Sequence, residues 1–253
     1  MKEQKIVKLN TGKKGLNRDV IKYIAMFTML LNHIAQCLMS KGTKLYDLMV
    51  AIGYFTAITM IYFLVEGYSY TRSKKKYVIR LIIFGIISQI PYSIAFAKSG
   101  FIEFIVVNML GTLLLCFCII YINEKYREKV LGIIITFILC LVSFVFDWGL
   151  FAPIFTVLFT WARNNRNRLK IAYAVAVLLY VGLEMWAYSS GGISTEIVFN
   201  ILRKAFFMGM SGVCILFFYN GKRMERGRNF SKWFFYVFYP AHLIILCIIK
   251  ICM

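Results

Sequence analysis

The chain has 253 residues, 60% of them hydrophobic and 16% charged, with a formal net charge of +19 and a mean hydropathy of +0.72. A soluble domain is nearer about 45–50% apolar, so a soluble globular fold is excluded. The basic residues sit between apolar runs, which is the positive-inside pattern of a membrane protein and not a nucleic-acid surface, so no nucleic-acid partner is expected. The expected fold is all-α: a polytopic integral membrane helical bundle of about nine transmembrane helices, within about eight to ten.

Residues 1–19 form a polar, basic lead, and 20–253 a single transmembrane domain. The lead carries Lys2, Lys5, Lys8, Lys13, Lys14 and Arg18 and is expected to lie on anionic lipid. Val20 to Met39 follows, mostly apolar and about 20 residues long, enough for a helix to cross a bilayer. No small-residue cleavage site follows the Lys-rich start, so this first span reads as a retained helix and not a signal peptide. Its Thr28, Asn32 and Gln36 recur at i, i+4 and share a face, with His33 beside it. A polar stripe is costly against lipid and is expected to face protein or a wet cavity.

Ser40 to Leu48 reads as a short turn, and Met49 to Tyr70 as span two, with Glu66 near its end. The densest basic loop, 71–80, holds Arg72, Lys74, Lys75, Lys76 and Arg80. Span three, about Tyr77 to Ala97, contains Gln89, Pro91 and Tyr92; span four, about Ile102 to Ile122, contains Asn108 and Thr112 at i, i+4. Span five is about Val130 to Phe146, and Asp147-Trp148-Gly149 breaks the pattern. Leu150 to Ala162, with Pro153, is short for a full crossing and reads as re-entrant or as a short sixth span. Spans seven, eight and nine are about Ile171 to Tyr188, Ile197 to Tyr219 and Trp233 to Ile251.

With nine spans and a cytoplasmic N-terminus, 24 of the 30 Lys and Arg fall on the cytoplasmic side. That is the orientation expected, with lipid as the surrounding partner. The seven cysteines lie in or beside apolar segments without a paired loop framework or Cys-x-x-Cys, so they read as small buried hydrophobes.

His33 and His242 are the two histidines of the chain, and each lies in a span. A neutral imidazole is the usual general base near neutral pH, able to take a proton from a nucleophile attacking an ester or thioester. The alternative is a hydrogen bond between packed helices. Tyr239-Pro240-Ala241-His242 favours chemistry, because Pro240 frees a backbone carbonyl and Tyr239 is i, i+3 from the ring. No metal is expected: two histidines without a carboxylate pair or thiolate motif make no metal signature.

Arg203 and Lys204 lie inside span eight and are expected to pair, with Glu184 or Asp147, or to line a cavity; snorkelling to headgroups is the alternative. Gln89, Asn108, Asp147 and Arg203 are assigned to a polar substrate cavity. Glu66, Arg72, Lys76 and Arg80 form a basic mouth able to hold the phosphates of a carrier such as coenzyme A. The alternative there is topogenic charge alone. Hydrolase, P-loop and dinucleotide-binding motifs have no match in the chain.

Lys22-Tyr23-Ile24-Ala25-Met26 with Leu30-Leu31-Asn32-His33-Ile34 is similar to the opening motif of a known family. So, in order, are Val65-Glu66-Gly67-Tyr68 with Tyr70-Thr71-Arg72, then Lys76-Tyr77, Arg80-Leu81, and Ser88-Gln89-Ile90-Pro91-Tyr92. Asn108 to Leu115, Asp147-Trp148-Gly149, Tyr219-Asn220-Gly221-Lys222 and Phe235-Tyr236 through Phe238-Tyr239-Pro240-Ala241-His242 continue the likeness to the C-terminus. On these blocks the chain resembles the TraX family, bacterial polytopic proteins named for the enzyme that N-acetylates F-type conjugative pilin.

Two positions depart from the family pattern. Asn32 stands where Asp is usual; an Asp would orient and neutralise an imidazolium, an Asn would only orient it. Gly53-Tyr54-Phe55-Thr56-Ala57 lacks the Arg and Pro of the usual span-two run.

The resemblance implies a membrane acetyltransferase of the wider type-3 acyltransferase class. It would move acetyl from cytoplasmic acetyl-coenzyme A to an amine or hydroxyl of a pilin, peptide or glycan at the outer face. His33 and His242 would then be base and proton shuttle, Asn32 the group orienting His33, and Tyr239 their neighbour. Basic mouth, polar interior and histidines are expected to form one route through the membrane. A transporter or flippase, and a non-catalytic assembly factor for a surface structure, remain as alternatives.

Overall fold

The computed structural model describes residues 15–97, 106–126 and 129–252. These form a helical membrane bundle. In chain order the helices are α1 (Arg18–Leu38), α2 (Lys44–Ile52), α3 (Tyr54–Tyr70), α4 (Lys74–Phe96), α5 (Met109–Lys125), α6 (Val130–Val142), α7 (Phe151–Trp161), α8 (Arg166–Tyr188), α9 (Thr195–Val213) and α10 (Arg228–Cys252). By length and composition six candidate spans are long and apolar enough to cross a bilayer, with α2 and α3 counted as one. Helices α5, α6 and α7, of 17, 13 and 11 residues, are shorter. A count of nine crossings therefore needs these three to cross as well.

Helix α3 is buried nearly all round, from Phe55 to Tyr68, and packs against α1, α5, α7 and α9. An apolar helix without a polar face belongs in the interior. Helix α6 is the opposite case: Gly132 is its one buried residue, and Leu131, Ile133, Ile134, Phe137, Ile138 and Leu141 are exposed, as on a lipid-facing edge.

Lipid supplies no hydrophobic drive between helices, so small and polar side chains join them. Thr56 Oγ1 on α3 donates to the Ala25 carbonyl on α1 at 2.6 Å and meets Thr28 Oγ1 at 2.7 Å. Thr59 on α3 meets Ser211 on α9 at 2.7 Å. A Cβ on Gly53, between α2 and α3, would overlap the Asn32 side chain, so glycine there lets α1 approach the bend.

Several boundaries differ from the expected ones. Ser40 to Leu48 is not all turn: Thr43 accepts a hydrogen bond from the Tyr46 amide, so α2 starts at Lys44. Helix α5 starts at Met109, behind the Asn108 cap; Ile102 to Ile105 of the expected span lie outside the described residues. Leu150 to Ala162 contains the short helix α7.

Of the basic lead, residues 1–14 lie outside the described residues. Gly15 to Asp19 are ordered against the chain after α9: the Leu16 amide donates to the Phe218 carbonyl, and the Asn220 amide to that of Leu16. Among the cysteines, Cys116 and Cys247 are buried, whereas Cys118 and Cys252 are exposed on the bundle surface.

Candidate functional site

Among the described residues, two cavities with polar or charged linings lie at different depths in the bundle. The first is a polar cavity of about 320 Å³ at the C-terminal half of α1. The second is a basic cavity of about 590 Å³ where α1, α4 and α10 begin.

His33 lines the polar cavity, and His242 of α10 lies behind it. The two histidines, 209 positions apart, meet with His33 Nδ1 2.8 Å from His242 Nε2. His242 Nδ1 lies 2.8 Å from the Phe238 carbonyl oxygen. That oxygen can only accept, so Nδ1 of His242 carries hydrogen and, in the neutral ring, Nε2 is the acceptor. His33 Nδ1 then donates, and the lone pair of neutral His33 resides on Nε2. No described residue hydrogen-bonds that nitrogen. The site thus holds a base of defined tautomer with a second imidazole behind it, able to accept the Nδ1 proton should Nε2 be protonated. Phe96 stands edge-on to His33 at 5.2 Å and Phe238 stacks on His242 at 5.0 Å, fixing both rings.

Asn32 does not orient His33. Its Nδ2 donates to the Val50 carbonyl at 2.7 Å and its Oδ1 accepts from Gln36, so the amide closes the α1–α2 contact at the cavity wall. The orienting group is His242. Tyr239 reaches elsewhere too: its hydroxyl accepts from the Met109 amide at 3.3 Å, seating the start of α5, while its ring stands 5.5 Å from His242.

Of the residues assigned to a substrate cavity, Asp147 lines the polar cavity. Its backbone is held at the start of α5: the Asp147 amide donates to the carbonyl of Val107, just before the helix, and Thr112 Oγ1 of α5 donates to the Asp147 carbonyl. Arg203 does not line it: its guanidinium lies 3.8 Å from Asp47 on α2. Lys204, one 100° step round the helix, faces the cavity instead, its ammonium 5.2 Å from the Tyr54 ring centroid. Gln89 and Asn108 bind each other outside the cavity. Asn108 Nδ2 donates to Gln89 Oε1 and to the Gly85 carbonyl, both at 2.8 Å, fastening α5 to α4.

Trp148 also lines the cavity, against Tyr54 at 4.8 Å, and its φ of 64° lies in the left-handed region. For a bulky residue this conformation costs about 1–3 kcal/mol. The sequence signal was the Asp147-Trp148-Gly149 break.

Arg72, Lys76 and Arg80 all line the basic cavity. They are joined by Arg18 and Lys22 of α1, by Arg223, and by Arg228 and Lys232 of α10, none of which was assigned a binding role from sequence. Burial and the nearby Arg18 and Arg228 guanidiniums lower the pKa of Arg223. Glu66 is a counter-ion and not a phosphate ligand. It lies 3.8 Å from Arg18 Nε and accepts from the Tyr219 hydroxyl at 2.9 and 3.0 Å. Arg18 Nη2 donates to the Phe63 carbonyl at 3.0 Å, and Gly67 leaves room for the guanidinium.

The two cavities share no lining residue, so the single route expected from sequence is interrupted. The layer between them is thin. On α3, Ala57 faces the polar cavity and Met60 the basic one; on α5, Met109 faces the polar cavity and Leu110 the basic one. On α3 that separation is about one helical turn, ~5 Å.

No solved structure matches the chain. It is 32% identical over 240 residues to the probable fimbrial assembly protein FimC, serogroup H1, of Dichelobacter nodosus, with 91% of this chain and 94% of that protein covered. The family model described as TraX protein matches residues 17–250. By that match, which takes in both cavities, the chain belongs to the TraX family.

Proposed function

We propose that the protein is a membrane acyltransferase that moves acetyl from acetyl-coenzyme A, bound in the basic cavity, to an amine or hydroxyl acceptor in the polar cavity. The observation that carries the reading is the His33–His242 hydrogen bond. It leaves an unprotonated ring nitrogen on the cavity-lining histidine, across a thin layer from a cluster of cations.

In the reaction, the acceptor nitrogen or oxygen attacks the thioester carbonyl carbon while His33 Nε2 takes its proton. The His33 Nδ1–H bond to His242 supports the charge on the ring, and the second imidazole can accept that proton. Collapse breaks the carbon–sulfur bond, and the thiolate takes up the proton to leave as free coenzyme A. The layer at Met60 and Leu110 has to part for the thioester to arrive.

The excess of basic residues at the end holding the basic cavity supports a cytoplasmic position for that end by the positive-inside rule. The polar cavity then faces outward, where a pilin or surface polymer is assembled. The name of the Dichelobacter relative favours a second reading, an assembly factor without catalysis. Washed membranes containing the protein separate the two: transfer of labelled acetyl from acetyl-coenzyme A to endogenous acceptor supports the enzyme. Its absence from well-expressed, intact protein supports the assembly factor.

A further inference from the structure

The segment between α9 and α10 runs beside the basic cavity as a strap and puts Arg223 in its lining. It leaves the π-turn at Cys214–Phe218 and enters α10 at Arg228, with Gly221 and Gly227 at φ of 72° and 74°. The start of α1 ties it down. The Arg18 amide donates to the Lys222 carbonyl at 2.9 Å. Asp19 Oδ2 accepts from the Met224 amide at 2.8 Å and Oδ1 from Ser231 Oγ at 3.1 Å.

Among the described residues Asp19 is the one carboxylate lining this cavity, and both its oxygens are occupied by the strap and α10. Arg18 is matched by Glu66. Arg72, Lys76 and Arg80 at the α4 end, and Arg223, Arg228 and Lys232 of the strap and α10, line the same space with no described carboxylate partner. Arg80 Nε is buried with no hydrogen-bond partner among the described residues, its guanidinium lying 5.5 Å from the Tyr236 ring centroid. The N-termini of α1, α4 and α10 open here too and add positive potential. The volume of about 590 Å³ is within the range of about 300–1,000 Å³ for small-molecule pockets and holds more than a free phosphate.

We infer that the strap is the closing half of an anion site: a ligand carrying two or more phosphate groups is gripped between Arg223 and Arg228 and the α4 cations, with Asp19 holding the strap in place. This rests on the donor reading only in identifying that ligand with coenzyme A; an anionic phospholipid headgroup presents the same chemistry.

The test uses the full chain purified in neutral detergent, with coenzyme A, inorganic phosphate and cardiolipin as separate probes. Two quantities are read: the Kd, and the rate of tryptic cleavage at Lys222, Arg223 and Arg226. Coenzyme A is expected to bind and to slow cleavage, and phosphate to do neither. The double variant Arg223→Ala, Arg228→Ala weakens binding by about ten- to a hundredfold, the loss expected for charge-assisted hydrogen bonds.

Asp19→Asn keeps every cation and removes a negative charge, so electrostatics alone predicts tighter binding. The strap mechanism predicts weaker binding and a strap cleaved quickly even with ligand. Tighter binding in Asp19→Asn, or a double variant that binds like wild type while Arg72→Ala, Lys76→Ala does not, overturns the inference and leaves the donor reading standing. Cardiolipin binding that protects the strap, with no binding of coenzyme A, leaves the strap standing and removes the donor reading. Failure of all three probes overturns the inference.

Discussion

Removing one histidine of the pair at a time tests the assignment of base and support. His33→Ala deletes the cavity-facing nitrogen, and loss of a positioned general base typically costs about 10²- to 10⁴-fold, or about 3–5 kcal/mol of barrier. His242→Ala keeps the base but leaves the buried Nδ1–H of His33 without its 2.8 Å acceptor. An unsatisfied buried donor costs about 1–3 kcal/mol, so this variant should fall by about 5- to 150-fold, less than His33→Ala. His242→Gln offers a carbonyl oxygen to the same N–H but cannot take a proton: recovery towards wild type means His242 orients, and continued loss means it also relays. The assay is initial-rate transfer of labelled acetyl from acetyl-coenzyme A in membranes matched for expression, with melting in detergent as a folding control. Wild-type rates for His33→Ala, or a larger loss in His242→Ala than in His33→Ala, would refute the reasoning.

Three further outcomes follow from the packing. Met60→Trp enlarges the layer between the cavities, so transfer should fall by tenfold or more while coenzyme A binding at the basic cavity stays within about twofold, the ligand's phosphates being held elsewhere. Equilibrium binding set beside transfer rate reads the split; equal losses in both would mean that Met60, on the wall of the basic cavity, acts through holding the ligand and not through the layer. Gly53→Ala drives a methyl into the Asn32 side chain and should destabilise by about 1–3 kcal/mol, seen as a lower Tm in detergent; an unchanged Tm would mean that α1 and the α2–α3 bend are not in contact. Asn32→Asp restores the residue usual in the family, yet here it sets a carboxylate 2.7 Å from the Val50 carbonyl with no proton between them. A loss of about 1–3 kcal/mol of stability without a gain in transfer is expected, and a rise in activity would show that Asn32 acts on His33 after all.

How far the sequence carried depended on rarity. Two histidines in 253 residues, both inside apolar runs, stand out against a background in which imidazole in lipid is costly, and the fold brings them together. The Thr28–Asn32–Gln36 stripe was legible for the same reason and faces protein, through Thr56, Val50 and the polar cavity.

Where residues were common or ambiguous by one helical step, sequence could not choose. Arg203 and Lys204 are adjacent, and which one faces inward depends on α9's rotation, which Asp47 helps to set from α2. Arg223, Arg228 and Lys232 looked like every other basic loop residue, because membrane orientation requires such charges whether or not they bind anything. Gln89 and Asn108 read as cavity residues because each is a polar group in an apolar run; their mutual hydrogen bond was invisible without the register of α4 against α5. The start of α2 was signalled locally, by Gly42 at φ 86° and the Thr43 cap, but the preceding polar run hid it.

The placement of the two cavities bears on what can pass between them. A bilayer's hydrocarbon core is about 30 Å thick, and a phosphate-bearing ligand cannot enter it. Cavities entering the bundle at different depths reduce the barrier at α3 to about one helical turn. On the basic side this barrier presents Met60 and Leu110, apolar side chains without a charge to displace, and the thioether of methionine is among the easiest side chains to repack. A neutral thioester arm can cross such a layer while its phosphates stay in the cationic cavity, so the negative charge never leaves its counter-charges. An acyl group alone would then reach the side where His33 Nε2 stands. The division into two chambers, which interrupts the continuous path expected from sequence, suits group transfer better than bulk passage of a charged solute. Under the proposed function an open channel would let coenzyme A escape, whereas one apolar turn would retain it.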